Sequence, residues 1–336
     1  MVDTAETELP KPKLELYEMD ITPVNENTAT FAWIHHHPGA KTVHFETVNG
    51  EKFDYYYRPR STTPRYASVT GNFDHLPSHI IPVMDQKLNK LVIAKAPTKR
   101  NDIGWTQFGD NPSEAHFSGV DHHPYIADVY NLAVDDKDGI YMIMEYLPHG
   151  TLQEWLKQPH SAQEIGSVVD KISQAVHHVN TKRHLIYADL KPLNVGFDEQ
   201  DNPKLLDFEL AAIIRDDGTG FCQHATREYE APEQDKQQPI TVRTDVYRLA
   251  ATVFSILIGD VDFMDVKHLR DQFVSDPDSL IPLRTEYQHM FSDDQHRQLS
   301  DLLRQGLHKD PQHRQVSIPE FNQPFQSIIL ANRKSP

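Results

Sequence analysis

LIYADLKPLNVGFDEQDNPKLLDFEL, running from Leu185 to Leu210, is the stretch whose reading decides the fold. Two apolar pairs, Leu185-Ile186 and Leu205-Leu206, each deliver an acidic residue, Asp189 and Asp207, with Lys191 and Asn194 between them. Two carboxylates, an amide and an ammonium are the groups needed to hold a divalent cation on a triphosphate and to orient an attacking hydroxyl.

Working outward, Ser161-Ala162-Gln163-Glu164 forms a capping box, and Ile165, Val168, Val169, Ile172, Val176 and Val179 follow at helical spacing. This predicts a long helix that leads into Leu185 and anchors the loop after it. Further upstream, Lys90-Leu91-Val92-Ile93-Ala94-Lys95 reads as a strand ending in an ammonium, whose desolvation needs a partner. Val129–Ala133 and Gly139–Glu145 predict a strand pair. Alternation over 28–34 and 41–58, with Asn49-Gly50 between two strand-like runs, predicts a small antiparallel meander. Met1–Asp20 shows no hydrophobic period and carries Pro10-Lys11-Pro12, which predicts a largely extended leader. His35-His36-His37 does not make a metal site, because consecutive strand residues point to opposite faces.

The motifs resemble the protein kinase superfamily, in its eukaryotic-type (Hanks-type) form. Tyr187-Ala188-Asp189-Leu190-Lys191-Pro192-Leu193-Asn194 is similar to H-R-D-L-K-P-x-N, Asp207-Phe208-Glu209 to D-F-G, and the strand ending at Lys95 to V-A-I-K. Glu114 falls where the family places the glutamate that pairs with the strand lysine. Met144-Glu145-Tyr146-Leu147 resembles the hinge between kinase lobes, with Met144 as gatekeeper and the backbone of Glu145 and Leu147 facing adenine. Thr226–Glu233 resembles the T-P-x-Y-x-A-P-E signature, Asp245–Ala250 the D-x-W-S-x-G helix start, and Asp310-Pro311 with Arg314 the D-P-x-x-R near the chain end. The resemblance covers about four-fifths of the chain.

It implies an α+β, bilobal protein-kinase fold: a small antiparallel β lobe with one helix over 64–147 and a large helical lobe over 148–333. A β-rich extension over 1–63 precedes them. It implies a serine/threonine protein kinase that uses ATP with Mg²⁺ or Mn²⁺. Asp189 would orient the substrate hydroxyl, Lys191 neutralise the transferring phosphoryl group, Lys95 and Glu114 pair over the phosphates, and Asn194 and Asp207 hold the metal. Glu233 and Arg314 would form a buried ion pair.

Composition narrows the partners. The 336 residues carry a net charge of -16 with no basic concentration, which argues against nucleic acid, while a protein substrate is what the resemblance implies. The longest apolar run, Leu249–Ile258, is about half of what a membrane span requires and predicts a buried helix. A single cysteine, Cys222, and no signal-like start predict a cytoplasmic setting. A regulatory partner or ligand could bind the extension.

Several positions depart from the family pattern. No G-x-G-x-x-G precedes Lys95, since Gly71 is the one glycine between Tyr66 and Met84. Gly196 stands where the family sets a leucine beneath adenine, which predicts a looser nucleotide floor. Ala188 replaces the arginine that binds an activation-loop phosphate, and Glu209 replaces the D-F-G glycine. These two predict an enzyme that is constitutive or partner-controlled, with little gain from phosphorylation at Thr219 or Thr226. Two alternatives stay open: a pseudokinase acting as a binding or scaffold module, favoured by the missing glycine loop, and a small-molecule kinase of the choline or aminoglycoside type, in which D-F-E-like motifs occur.

Overall fold

The computed structural model describes residues 14–23, 41–46, 52–59, 63–69, 76–77, 79–96, 99–100, 105–107, 122–137, 139–208, 210–222, 229–259 and 263–331. The readings placed on 28–34, His35-His36-His37, Asn49-Gly50, Gly71, Glu114, Glu209 and Thr226 lie outside these residues. The chain divides into two compact units, one of residues 1–44, 53–106 and 129–146, the other of 45–52, 107–128 and 147–336.

The first unit is built on one sheet. Its strands are β1 (Glu15–Pro23), β2 (Lys41–Glu46), β3 (Lys52–Pro59), β4 (Tyr66–Ser68), β5 (Ile80–Asp85), β6 (Lys90–Lys95), β7 (Lys99–Arg100), β8 (Trp105–Gln107), β9 (Val129–Val134) and β10 (Ile140–Glu145). Their order across the sheet is β4-β5-β6-β10-β9-β1-β3-β2-β8-β7. The strands predicted at Lys90–Lys95 and over the two segments from Val129 to Glu145 are present. Ala94 opposes both Ile143 and Ile81, so β6 is a central strand and its apolar residues are covered on both edges.

The leader reading needs correction from Glu15 onward. β1 is a strand lodged between β9 and β3, with Tyr17 facing Val134 and Met19 facing Pro59. Among its residues 15–19, Leu16 and Met19 are the buried ones and lie three apart, which neither strand alternation nor a clean helical stripe would flag. Leu16 packs with Tyr66, Val83, Val92, Ala94, Ala133 and Ile143 in the core on one face of the sheet. Arg65, just before β4, donates to Asp85 at the end of β5 at 2.7 Å and pairs with Glu18 within β1 at 3.0 Å.

The second unit is largely helical: α1 (Leu152–Trp155), α2 (Ala162–Thr181), α3 (Pro232–Asp235), α4 (Val242–Ile258), α5 (Phe263–Ser275), α6 (Asp293–Gly306) and α7 (Ile318–Leu330). Ser161 caps α2 as predicted, accepting from the Glu164 amide while Glu164 reaches back to the Ser161 amide at 2.8 Å. The predicted stripe Ile165, Val168, Val169, Ile172, Val176 and Val179 is buried. α4 is covered almost all round, as its apolar run requires. Among the described residues, no helix is long and apolar enough to cross a membrane.

Candidate active site

The loop after Leu185-Ile186 is shaped by a buried carboxylate. Leu185-Ile186 pairs antiparallel with Ala212-Ile213, after which the chain leaves the strand. Asp245, in the first turn of α4 and fully buried, accepts from the amides of Tyr187 at 2.9 Å and Ala188 at 2.8 Å and from Asn180 Nδ2 at 2.7 Å. Burial pushes the Asp245 carboxyl up, against these three donors and the charge of Arg248. Ala188 is held at φ 60°, a left-handed conformation that costs a non-glycine residue about 1–3 kcal/mol. Its amide is fixed by Asp245 and its carbonyl by Gln234 Nε2 at 3.0 Å, so the surroundings impose that geometry.

Asp189 is thereby turned into a cluster of donors. Lys191 Nζ reaches Asp189 Oδ2 at 2.9 Å, Asn194 Nδ2 reaches the same oxygen at 2.7 Å, and Arg248 Nη1 reaches Oδ1 at 3.1 Å. An ionised carboxylate offers about four acceptor sites, so three are filled and one remains. Asn194 spends both amide hydrogens on Asp189, the second on its carbonyl at 2.9 Å. Its Oδ1 is left as an acceptor suited to a hard cation.

Asp207 is brought alongside by hairpin register. Val195–Phe197 pairs with Pro203–Leu205, Val195 opposite Leu205, and the Leu206 amide donates to the Asn194 carbonyl at 2.9 Å. Asn194 and Asp207 therefore leave the same end of one hairpin. Asp207 adopts φ 55°, which aspartate tolerates better than most residues, and the Tyr187 hydroxyl donates to the carbonyl of Leu206 just before it. Among the described residues, no three or more His, Cys, Asp or Glu side chains converge to hold a metal by themselves, so a cation here would draw on Asn194 Oδ1, Asp207 and a ligand's own oxygens.

Gly196 corrects the expectation of a loose floor. A Cβ placed there would lie 2.5 Å from Leu147 Cδ1 and 3.3 Å from Leu206 Cδ1, so the space a side chain would fill is taken by two leucines from elsewhere. Gly196→Leu is expected to cost about 1–3 kcal/mol through overcrowding. Combining it with Leu147→Ala roughly conserves the volume and should recover at least half of that loss in thermal melting. A single variant that melts like the parent would show that Leu147 does not fill the site.

In the sheet unit, Lys95 ends β6 opposite Met142 and Ile80, while Met144 and Glu145 at the end of β10 oppose Ile93 and Val92. By strand alternation, Lys95 and Met144 share the face opposite the Leu16 core. Lys95 is buried, as its place at the end of an apolar strand implied. The structure thus brings Asp189, Lys191 and Asn194 into direct contact, has Asp207 leave the same end of the hairpin as Asn194, and puts Lys95 and Met144 on one face of the sheet.

The ion pair foreseen between Glu233 and Arg314 is present and buried, at 2.7 and 2.8 Å. Sequence reading missed Arg248 and Gln234. Arg248 follows Asp245-Val246-Tyr247 in a helix start and has the look of an ordinary helical charge. The one local hint was its position within an otherwise apolar run.

The family model described as Protein kinase domain matches residues 77–325. Among curated proteins, the chain is 26% identical over 237 residues to a probable serine/threonine-protein kinase of Streptomyces coelicolor, covering 64% of this chain and 32% of that one. It is 23% identical over 231 residues to serine/threonine-protein kinase PrkC of Bacillus subtilis, covering 66% and 34%. With serine/threonine-protein kinase PknB of Mycobacterium tuberculosis the figures are 24% over 217 residues, covering 62% and 34%. The chain thus spans about a third of the length of these relatives.

Proposed function

This chain belongs to the protein kinase domain family, and on that premise we propose that it transfers the γ-phosphoryl group of ATP to a serine or threonine hydroxyl of a protein substrate. The observation that carries this reading is the Asp189 carboxylate, oriented by three donors and left with one free acceptor site. That site takes the substrate hydroxyl, aligns it for in-line attack and draws its proton as the new P–O bond forms and the bond from the γ-phosphorus to the bridging oxygen breaks, releasing ADP. Lys191, 2.9 Å from Asp189 and partly exposed, supplies positive charge where the transferring group gathers negative charge. Asn194 Oδ1 and Asp207 would hold Mg²⁺ or Mn²⁺, which neutralises the phosphate oxygens. Lys95 with Glu114 would steady the α- and β-phosphates, and the segment Met144 to Leu147 would receive adenine. Little covalent chemistry is asked of the protein, and positioning carries the rate.

On this reading the sheet unit and the helical unit are the two lobes, over 64–147 and 148–333, and residues 1–63 are an extension that contributes β1, β2 and β3 to the sheet. A cytoplasmic setting, a regulatory partner at the extension, and activity without loop phosphorylation belong to the same proposal. Ala188 supports the last point, being fully buried with Ile186, Ala212 and Ile240 and carrying neither charge nor donor.

The test is incubation of the purified protein with labelled ATP, Mg²⁺ or Mn²⁺ and a generic protein substrate. Label on the substrate or on the chain itself supports the reading. If neither metal gives nucleotide binding or transfer, the scaffold reading replaces it, as the lack of a glycine-rich loop before Lys95 would then favour.

A further inference from the structure

Arg248 is an expensive residue to bury. Its side chain is 0% exposed, so water shares none of its charge. Nη1 donates to Asp189 Oδ1 at 3.1 Å and Nε donates to Gln234 Oε1 at 2.8 Å. Gln234 also accepts from the Ala231 amide at 3.1 Å and passes the contact on, its Nε2 holding the Ala188 carbonyl. Nη2 is buried with no hydrogen-bond partner.

Stability does not account for this arrangement. Desolvation of a buried ion pair commonly offsets its Coulombic gain, and an unsatisfied buried donor adds to the deficit. Both partners of the guanidinium instead converge on two adjacent residues: Asp189 directly and Ala188 through Gln234.

We propose that Arg248 is a positioning residue for phosphoryl transfer, which fixes the plane of the Asp189 carboxylate by holding Oδ1 while Lys191 and Asn194 hold Oδ2. The inference rests on the reading of Asp189 as the residue that receives the substrate hydroxyl. With only the two donors on Oδ2, the carboxylate is free to swing about its last torsion and carry its open acceptor site off line. With Arg248 in place both oxygens are anchored, Oδ1 from α4, the helix whose Asp245 also shapes the backbone of Tyr187 and Ala188. The residue just before Asp189 is alanine, so the fully buried cation at this carboxylate, beside the partly exposed Lys191 of the loop, comes from a helix far along the chain.

The experiment compares the full chain with Arg248→Met and Arg248→Lys, by initial rates with labelled ATP and Mg²⁺ and by thermal melting. Arg248→Met keeps the bulk and removes the charge, and its kcat is expected to fall about 100-fold. The KM for ATP should stay within about twofold, since nucleotide binding is not what the residue supports. Arg248→Lys, with a single ammonium that cannot span Asp189 and Gln234 together, should stand about tenfold above Arg248→Met. An Arg248→Met enzyme with kcat within about threefold of the parent overturns the role. So does a loss equal in both variants and matched by an equal drop in melting temperature, which marks a structural residue. Should Arg248→Met not fold, Arg248→Lys decides: reduced kcat at unchanged KM supports the role, and unchanged kcat overturns it. A parent chain that transfers no phosphate overturns the kinase reading and this one with it, whereas an active parent with an unaffected Arg248 series overturns this one alone.

Discussion

Asp189→Asn should lower kcat for phosphoryl transfer by about 10²–10⁴-fold, the range associated with losing a positioned proton acceptor. Asparagine keeps the size of the side chain but brings an amide that donates, against Lys191, Asn194 and Arg248, which all donate already. The open acceptor site, which on the proposed function takes the substrate hydroxyl, is lost with the charge. Nucleotide affinity should change far less, because Asp189 is not among the residues assigned to the phosphates or adenine. The two effects separate when initial rates are measured beside binding of ATP with Mg²⁺. A variant retaining a tenth or more of the parent kcat would remove Asp189 from the mechanism.

The largest effect on folding is expected at Arg314. Its guanidinium is fully covered and donates to Glu233 Oε1 at 2.7 Å and Oε2 at 2.8 Å, to the His308 carbonyl at 2.7 Å and to the Arg243 carbonyl at 3.0 Å. Arg314→Ala leaves Glu233 buried without its counter-charge and should cost about 3–5 kcal/mol. For a chain of this size that is a fall in melting temperature of roughly 4–7 °C. Replacing both residues, Glu233→Met with Arg314→Met, removes the uncompensated charge and should recover part of the loss.

The pair also sets a pH dependence. Burial alone would push the Glu233 carboxyl up, but the hydrogen bonds and charge of Arg314, with Thr244, hold it below the usual glutamate value. A carboxyl lowered by folding stabilises the native state above its unfolded pKa, about 4.3, and that contribution is lost as pH falls through the lower folded value. The gap in stability between the parent and Arg314→Ala should therefore be widest near neutrality and narrow under acid. A gap that stays constant down to about pH 3 would mean that the pair is not ionised in the native state.

The parts of this molecule that were legible in its sequence are those whose signal is local. Ser161 and Glu164 cap a helix through contacts three residues apart, and the stripe from Ile165 to Val179 follows from one helix facing one core. Lys90–Lys95 is a short apolar run because it is a central strand with neighbours on both sides. Asp189, Lys191 and Asn194 were identifiable as a group since the turn at Pro192–Asn194 folds them back on one another.

What escaped depends on partners far along the chain. β1 is stabilised by pairing with β9 and β3, and its own residues carry no repeating pattern. Gly196 pointed to a gap because the leucine that fills it, Leu147, belongs to a different segment. Arg248 reads as a surface charge until α4 is packed against the loop, when it becomes the third donor to Asp189. In each case the sequence shows one half of a contact, and only the fold supplies the other.

The placement of β1 also bears on how the chain is made. Tyr17 is synthesised well before Val134, its partner in the sheet. At about 5–20 residues per second the interval is on the order of ten seconds. Throughout it, β3 and β4 can reach β1, since Ile21 meets Tyr57 and Leu16 meets Tyr66, but the edge reserved for β9 stays open. An open strand edge on a nascent chain is a template for wrong pairing. Final closure of the sheet is thus a late event in biogenesis, and slowing translation between β4 and β9 should raise the fraction of chains lost to aggregation.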